Sequence, residues 1–162
     1  LAGLRDVKVL TASLAVASTL YAHSHIELIL LGGTARRGSP DLSGPLTEDN
    51  LARFHVDLAV LGADAMTPEG IYTHDVGVSR LCRIMAAHAR RAIVAADSSK
   101  FGGHAFYRIA GWSEFDDLFT DEAVPPSVRK WLAQTDCRVH YASVPKPLTL
   151  QRHAHPPMRM PS

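Results

Sequence analysis

Three short segments hold polar and charged side chains close enough along the chain to act on one ligand. The first is Leu30-Leu31-Gly32-Gly33-Thr34-Ala35-Arg36-Arg37. Glycines after an apolar run let the backbone turn sharply or come close to a ligand. Free amides there, with Arg36 and Arg37, suit a phosphate. The second is Ala95-Ala96-Asp97-Ser98-Ser99-Lys100-Phe101-Gly102. Lys100 is a compact cation on a flexible stem, suited to a phosphate or carboxylate. The third runs from Gly62-Ala63-Asp64 to Gly70-Ile71-Tyr72-Thr73-His74-Asp75. Two carboxylates and a histidine can do acid–base work or bond sugar hydroxyls. Each segment also reads as an ordinary turn with solvated charges. No Gly-x-Ser-x-Gly elbow offers an activated nucleophile.

The remaining polar clusters are less specific. Nine histidines include His23-Ser24-His25 and His153-Ala154-His155. His-x-His without further ligands in register does not define a metal site, and no metal or cofactor is assigned. His88 sits on the apolar side of a helix and reads as a hydrogen-bonded, half-buried residue. Arg90-Arg91 reads as a basic pair at that helix's C-terminus. No helix-turn-helix of basic helices and no aromatic-plus-basic strand signature is present.

Short β-branched runs alternate with amphipathic stretches, and these must position the segments. Strands are expected at Val7–Thr11, Ile26–Leu31, Val56–Leu61, Ala92–Ala96, Asp117–Thr120 and Val139–Ala142. Helices are expected at Ser13–Ala22, with Ser13 capping, and at Pro45–Phe54. Two more fall at Val78–Ala89, with Leu81, Ile84, Met85 and His88 on one side, and at Pro126–Thr135. Near-continuous apolar strands between helices mean an α/β, Rossmann-like, mostly parallel sheet with helices on both faces. The polar segments follow the strands, and the carboxyl ends of such strands are where ligands bind.

The chain has 162 residues, 46% of them hydrophobic and 20% charged. One domain of that composition can bury a core, and disorder throughout is excluded. Seventeen basic and sixteen acidic residues leave a net charge of +1, short of a dedicated nucleic-acid binder. No apolar run approaches the ~20 residues of a membrane span. Two cysteines make no disulfide framework, so a cytoplasmic location is expected. Residues 145–162 hold five of the ten prolines, with Lys146, Arg152 and Arg159 and no acid. Residues 144–162 therefore read as a flexible basic tail after a domain at 1–143.

The order of motifs resembles the C-terminal sensor domain of DeoR-type bacterial transcriptional repressors. It rests on Thr11-x-Ser13, Leu30-Leu31-Gly32-Gly33-Thr34, Ser43-Gly44-Pro45-Leu46, Asp57 to Asp64, Gly70-Ile71, Ala96-Asp97-Ser98-Ser99-Lys100-Phe101-Gly102 and Phe119-Thr120-Asp121. It covers about residues 5–143. The resemblance implies a fold related to ribose-5-phosphate isomerase and glucosamine-6-phosphate deaminase. It also implies a site for a phosphorylated sugar or related metabolite, homo-oligomers, and contact with DNA only through an N-terminal helix-turn-helix absent from this sequence. By motif position the effector site comprises Thr11, Ser13, Gly32, Gly33, Asp64, Thr73, Asp75 and Lys100.

This chain departs from the family pattern at four places. Ala12 stands where the family usually has Asn, and Ala65 where it has Gly. Val78 and Cys82 stand where the helix normally carries Glu and Lys. The family's first strand and its Asp-x-Gly-Thr-Thr loop would precede Leu1, so the sheet is expected to lack its first strand. The reading is an effector sensor without catalysis. The alternatives are an isomerase or deaminase on the same fold, with Asp64 or Asp75 as base, and a non-binding remnant that only oligomerises.

Overall fold

A computed structural model describes residues 6–36 and 38–143. Arg37, the His153/His155 pair and the whole 144–162 segment lie outside the described residues. Six parallel strands carry the architecture, in two separate sheets. β1 (Val7–Thr11) pairs β2 (Ile26–Leu30), with Val9 opposite Leu28. β5 (Val56–Leu61), β8 (Ala89–Ala95), β10 (Asp117–Asp121) and β11 (Arg138–Ala142) form a four-stranded sheet in the order β11-β10-β8-β5. Among the described residues no strand pairs with the second edge of β1 or of β5.

Helices α1 (Leu14–Tyr21), α2 (Pro45–Leu51), α3 (Val76–Ala87) and α4 (Pro126–Leu132) connect and flank these strands. The parallel α/β architecture expected from the sequence is therefore present. Pro45 occupies the first turn of α2, where a missing N–H leaves no hydrogen bond unmade. The core lies on one face of the four-stranded sheet, where Ala59, Leu61, Ala92, Val94 and Leu118 meet Cys82, Ile109 and Leu132. On the other face Leu58, Val60 and Phe119 are about half exposed.

Several local expectations are corrected. α3 begins at Val76 rather than Val78, because Asp75 caps it by accepting the Val78 N–H at 2.9 Å. Its core face carries Val78, Ser79, Cys82, Met85 and Ala86, so of the expected stripe of Leu81, Ile84, Met85 and His88 only Met85 packs on the core. β8 begins at Ala89, so Arg90 and Arg91 are strand residues and not a helix C-terminal pair. Arg91 reaches the buried Asp117 carboxylate on the neighbouring strand, and Arg90 lies 3.6 Å from Asp57. Ser13 stands at the N-cap of α1, but its hydroxyl makes no cap bond. His88 is held as expected, with Nδ1 3.1 Å from the Phe54 carbonyl.

Five short strands were not expected. β3 (Thr34–Ala35) and β4 (Leu42–Ser43) form an antiparallel pair. β6 (Ala65–Thr67), β7 (Gly70–Thr73) and β9 (Tyr107–Ala110) form an antiparallel sheet in the order β6-β7-β9. Runs of two to four residues show no period-2 pattern long enough to read.

Candidate functional site

The candidate residues fall in two groups, most of them at the carboxyl ends of parallel strands, with Thr73 from the antiparallel strand β7 and Asp75 from the start of α3. The first is built on β5, β7 and α3. Asp64 follows β5 after two residues. Its Oδ2 accepts the Thr73 hydroxyl at 2.8 Å and the His74 N–H at 3.0 Å. Partial burial works to raise the Asp64 pKa. The His74 amide, the Thr73 hydroxyl and the nearby charges of His74 and Lys100 outweigh it, so the carboxyl sits below its ordinary value. Asp64 is therefore an anion at neutral pH, an acceptor rather than a proton donor. Thr73 is buried at 3% exposure and fixes one carboxylate oxygen.

Asp75 divides its two oxygens. Oδ1 caps α3 through Val78, and Oδ2 takes Arg36 at 3.1 Å. Lys100 ends a one-turn 3-10 helix, Ser98–Lys100, that follows β8. Asp97 accepts the Ser99 N–H at 2.9 Å, and Asp121 from β10 accepts the Ser98 N–H at 2.7 Å. The Ser99 hydrogen bonds lower the Asp97 pKa and those of Ser98 lower that of Asp121, so both carboxyls stay ionised. The turn carrying Lys100 is thus pinned from two sides.

The second group is built on β1, β2 and α2. Thr11 closes a turn by accepting the Ser13 N–H on its hydroxyl at 3.0 Å, while its carbonyl accepts the Leu31 N–H. Gly32 and Gly33 have φ of +74° and +123°. Thr47 of α2 donates to the Gly32 carbonyl at 2.8 Å, and Asn50 donates to the Leu31 carbonyl at 2.7 Å. A Cβ on Gly33 would run into Thr47 Oγ1 and the Ser43 carbonyl. Gly33 is therefore required by packing against α2. Gly32 has only Asn50 near its missing Cβ, at 3.9 Å.

The Arg36–Asp75 ion pair joins the two groups. Thr47, Asn50, the His74 amide and Asp121 were not among the expected site residues. The three-residue spacing of Thr47 and Asn50 on α2 is the signal that puts both on one helix face. The four departures behave differently from one another. Ala65 is fully buried in β6, where a Cβ on Gly103 would meet it at 3.4 Å. Val78 packs on the core. Cys82 is a buried thiol pushed up to about 11 by burial, and then by the charges of Asp41 and Asp64. Among the described residues no cluster of three metal-ligating side chains exists, and no helix is long and apolar enough to cross a membrane.

A family model described as the DeoR C-terminal sensor domain matches residues 1–122. A putative aga operon transcriptional repressor of Escherichia coli O157:H7 is 36% identical over 121 residues, covering 74% of this chain and 45% of that protein. The glycerol-3-phosphate regulon repressor of Escherichia coli K12 is 29% identical, covering 78% of this chain and 51% of its own length. The transcriptional repressor GlcR of Bacillus subtilis is 34% identical, covering 72% and 45%. The chain thus spans about half the length of the curated relatives it matches. These relatives are named as transcriptional regulators, not enzymes. With the motif order, the parallel architecture and the family match in agreement, the chain belongs to the DeoR C-terminal sensor domain family.

Proposed function

We propose that this domain binds a phosphorylated sugar or related metabolite, and that binding controls the DNA affinity of a helix-turn-helix outside the present sequence. The observation that carries this reading is the gathering of Asp64, Thr73, Asp75 and Lys100 at strand carboxyl ends in a chain of the DeoR sensor family. Asp64 accepts from sugar hydroxyls, held by Thr73 and the His74 amide. Lys100 supplies positive charge to the phosphate, and the Gly32-Gly33 turn places the polar end. Thr11 and Ser13 line the β1 side. No proton transfer is required, so the domain acts without catalysis, in the cytoplasm, as a homo-oligomer. Glycerol-3-phosphate, which appears in one relative's name, belongs in the first ligand panel.

The edges of β1 and β5 that have no strand partner among the described residues support a further part of this reading. A strand outside these residues would pair there and bring its loop to the phosphate.

Titration calorimetry with a panel of sugar and polyol phosphates tests the proposal. One member should bind, and Lys100→Ala should weaken it by roughly 1.5–3 kcal/mol, the loss of a charged hydrogen bond. Product analysis after prolonged incubation should return the ligand unchanged. Absence of binding across the panel overturns the sensor reading. Turnover of the ligand favours an isomerase or deaminase instead.

A further inference from the structure

The outer edge of β2 and the helix beside it form an apolar surface that the effector site does not use. β2 reads Ile26-Glu27-Leu28-Ile29-Leu30, and among the described residues its only strand partner is β1. Leu28 and Leu30 line a groove with Leu14, Ala17, Ser18 and Tyr21 of α1. Leu14, Val16 and Leu30 are each more than 40% exposed, and Tyr21 is 85% exposed. α1 holds no Asp, Glu, Lys or Arg. The one charge on β2, Glu27, is taken by Lys8 at 2.7 Å within the sheet. Natural sheet edges are commonly protected by charge, and the one charge on β2 is engaged within its own sheet.

We infer that this surface is a homodimer interface in which β2 pairs antiparallel with β2 of a second copy, with α1 against the partner's α1. A free strand edge needs a strand to satisfy its N–H and C=O groups, and the uncharged groove needs an uncharged filler. A second copy offers both at once. The sequence is also self-complementary about Leu28. Two-fold pairing there sets Leu28 against itself, Ile26 against Leu30, and Glu27 against Ile29, so no like charges face each other. An eight-residue helix and a five-residue strand per copy make a small interface, so dissociation on dilution is expected.

The test is sedimentation of the 162-residue protein combined with cross-linking. The wild type should sediment as a dimer that dissociates on dilution. Tyr21→Lys and Leu30→Lys change side chains that are largely or partly exposed, and should give folded monomers by circular dichroism. Leu28→Cys should form an intermolecular disulfide under mild oxidation. Facing residues in an antiparallel pair have Cα atoms about 4.5–5.5 Å apart, within the range a disulfide spans. Glu27→Cys, opposed by Ile29, should cross-link far less. A wild type that stays monomeric up to about 1 mM, the weak limit of specific binding, overturns the inference. So does a dimer that survives both lysine variants and is not captured through Leu28→Cys, because association then uses another edge. Ligand binding in the monomeric variants is read separately and leaves the effector reading where it was.

Discussion

Arg36, just after β3, and Asp75, at the start of α3, meet at 3.1 Å and so tie the β1–β2 side of the site to the β5 side. The same carboxylate caps α3 with its other oxygen. The two roles separate by substitution. Arg36→Ala removes the ion pair alone, and Asp75→Asn removes the charge while keeping a capping oxygen. Each should lower stability by up to about 1 kcal/mol, because both partners are partly exposed. Asp75→Ala loses the cap as well, adding about 0.5–2 kcal/mol. Urea melts of the three variants should rank in that order.

Gly33 should be the more demanding of the two glycines after β2. Gly33→Ala combines φ +123° with a collision against Thr47 and the Ser43 carbonyl. The expected loss is about 2–5 kcal/mol by thermal or chemical melt. Gly102→Ala is the control. Its φ is +72° with nothing within 4 Å of the added carbon, so only the left-handed backbone term, about 1–2 kcal/mol, should appear.

Acid should unfold the protein partly through Asp117. This carboxylate sits under Arg91, Arg138 and His140, with His140 Nε2 2.7 Å from Oδ1. The hydrogen bond with His140, followed by those of Arg91 and Arg138, holds its pKa down at about 2 against the opposing effect of burial. A depressed folded value means stability is present above the ordinary value of 3.8 and is lost as pH falls from there towards about 2. Asp117→Asn should be less stable than wild type at pH 7. The gap should close across that acid window. A constant gap between pH 5 and pH 2 would show that Asp117 does not titrate with folding.

Both cysteines should be inert in the native state. Cys82 and Cys137 are 9% and 5% exposed, and burial, then neighbouring carboxylates, push each thiol up to about 11. The nucleophile is the thiolate. At pH 8 alkylation should therefore track unfolding, with full labelling only in denaturant. Rapid labelling of native Cys82 would mean that the core around α3 opens freely.

The parallel strands, the helices and the family can be read from the order of residues alone. Apolar β-branched runs such as Val56–Leu61 read as strands of a parallel sheet, and Pro45 and Pro126 open two of the helices. The sequence also marked Asp64, Thr73, Asp75 and Lys100, because short polar segments interrupt an otherwise apolar pattern. What it could not supply was partnership. That Asp75 both caps α3 and pairs with Arg36, that Gly33 is fixed by Thr47 fourteen residues later, and that Asp117 collects two arginines and a histidine from two other strands are all contacts between distant segments. Local spacing carries no information about them. Arg90 and Arg91 show the same limit. A basic pair after an amphipathic run is favourable at a helix end, and only pairing of β8 with β5 and β10 decided that they belong to a strand. The short strands β3, β4, β6, β7 and β9 likewise exist because a neighbour supplies their hydrogen bonds, and no two- to four-residue run specifies that alone.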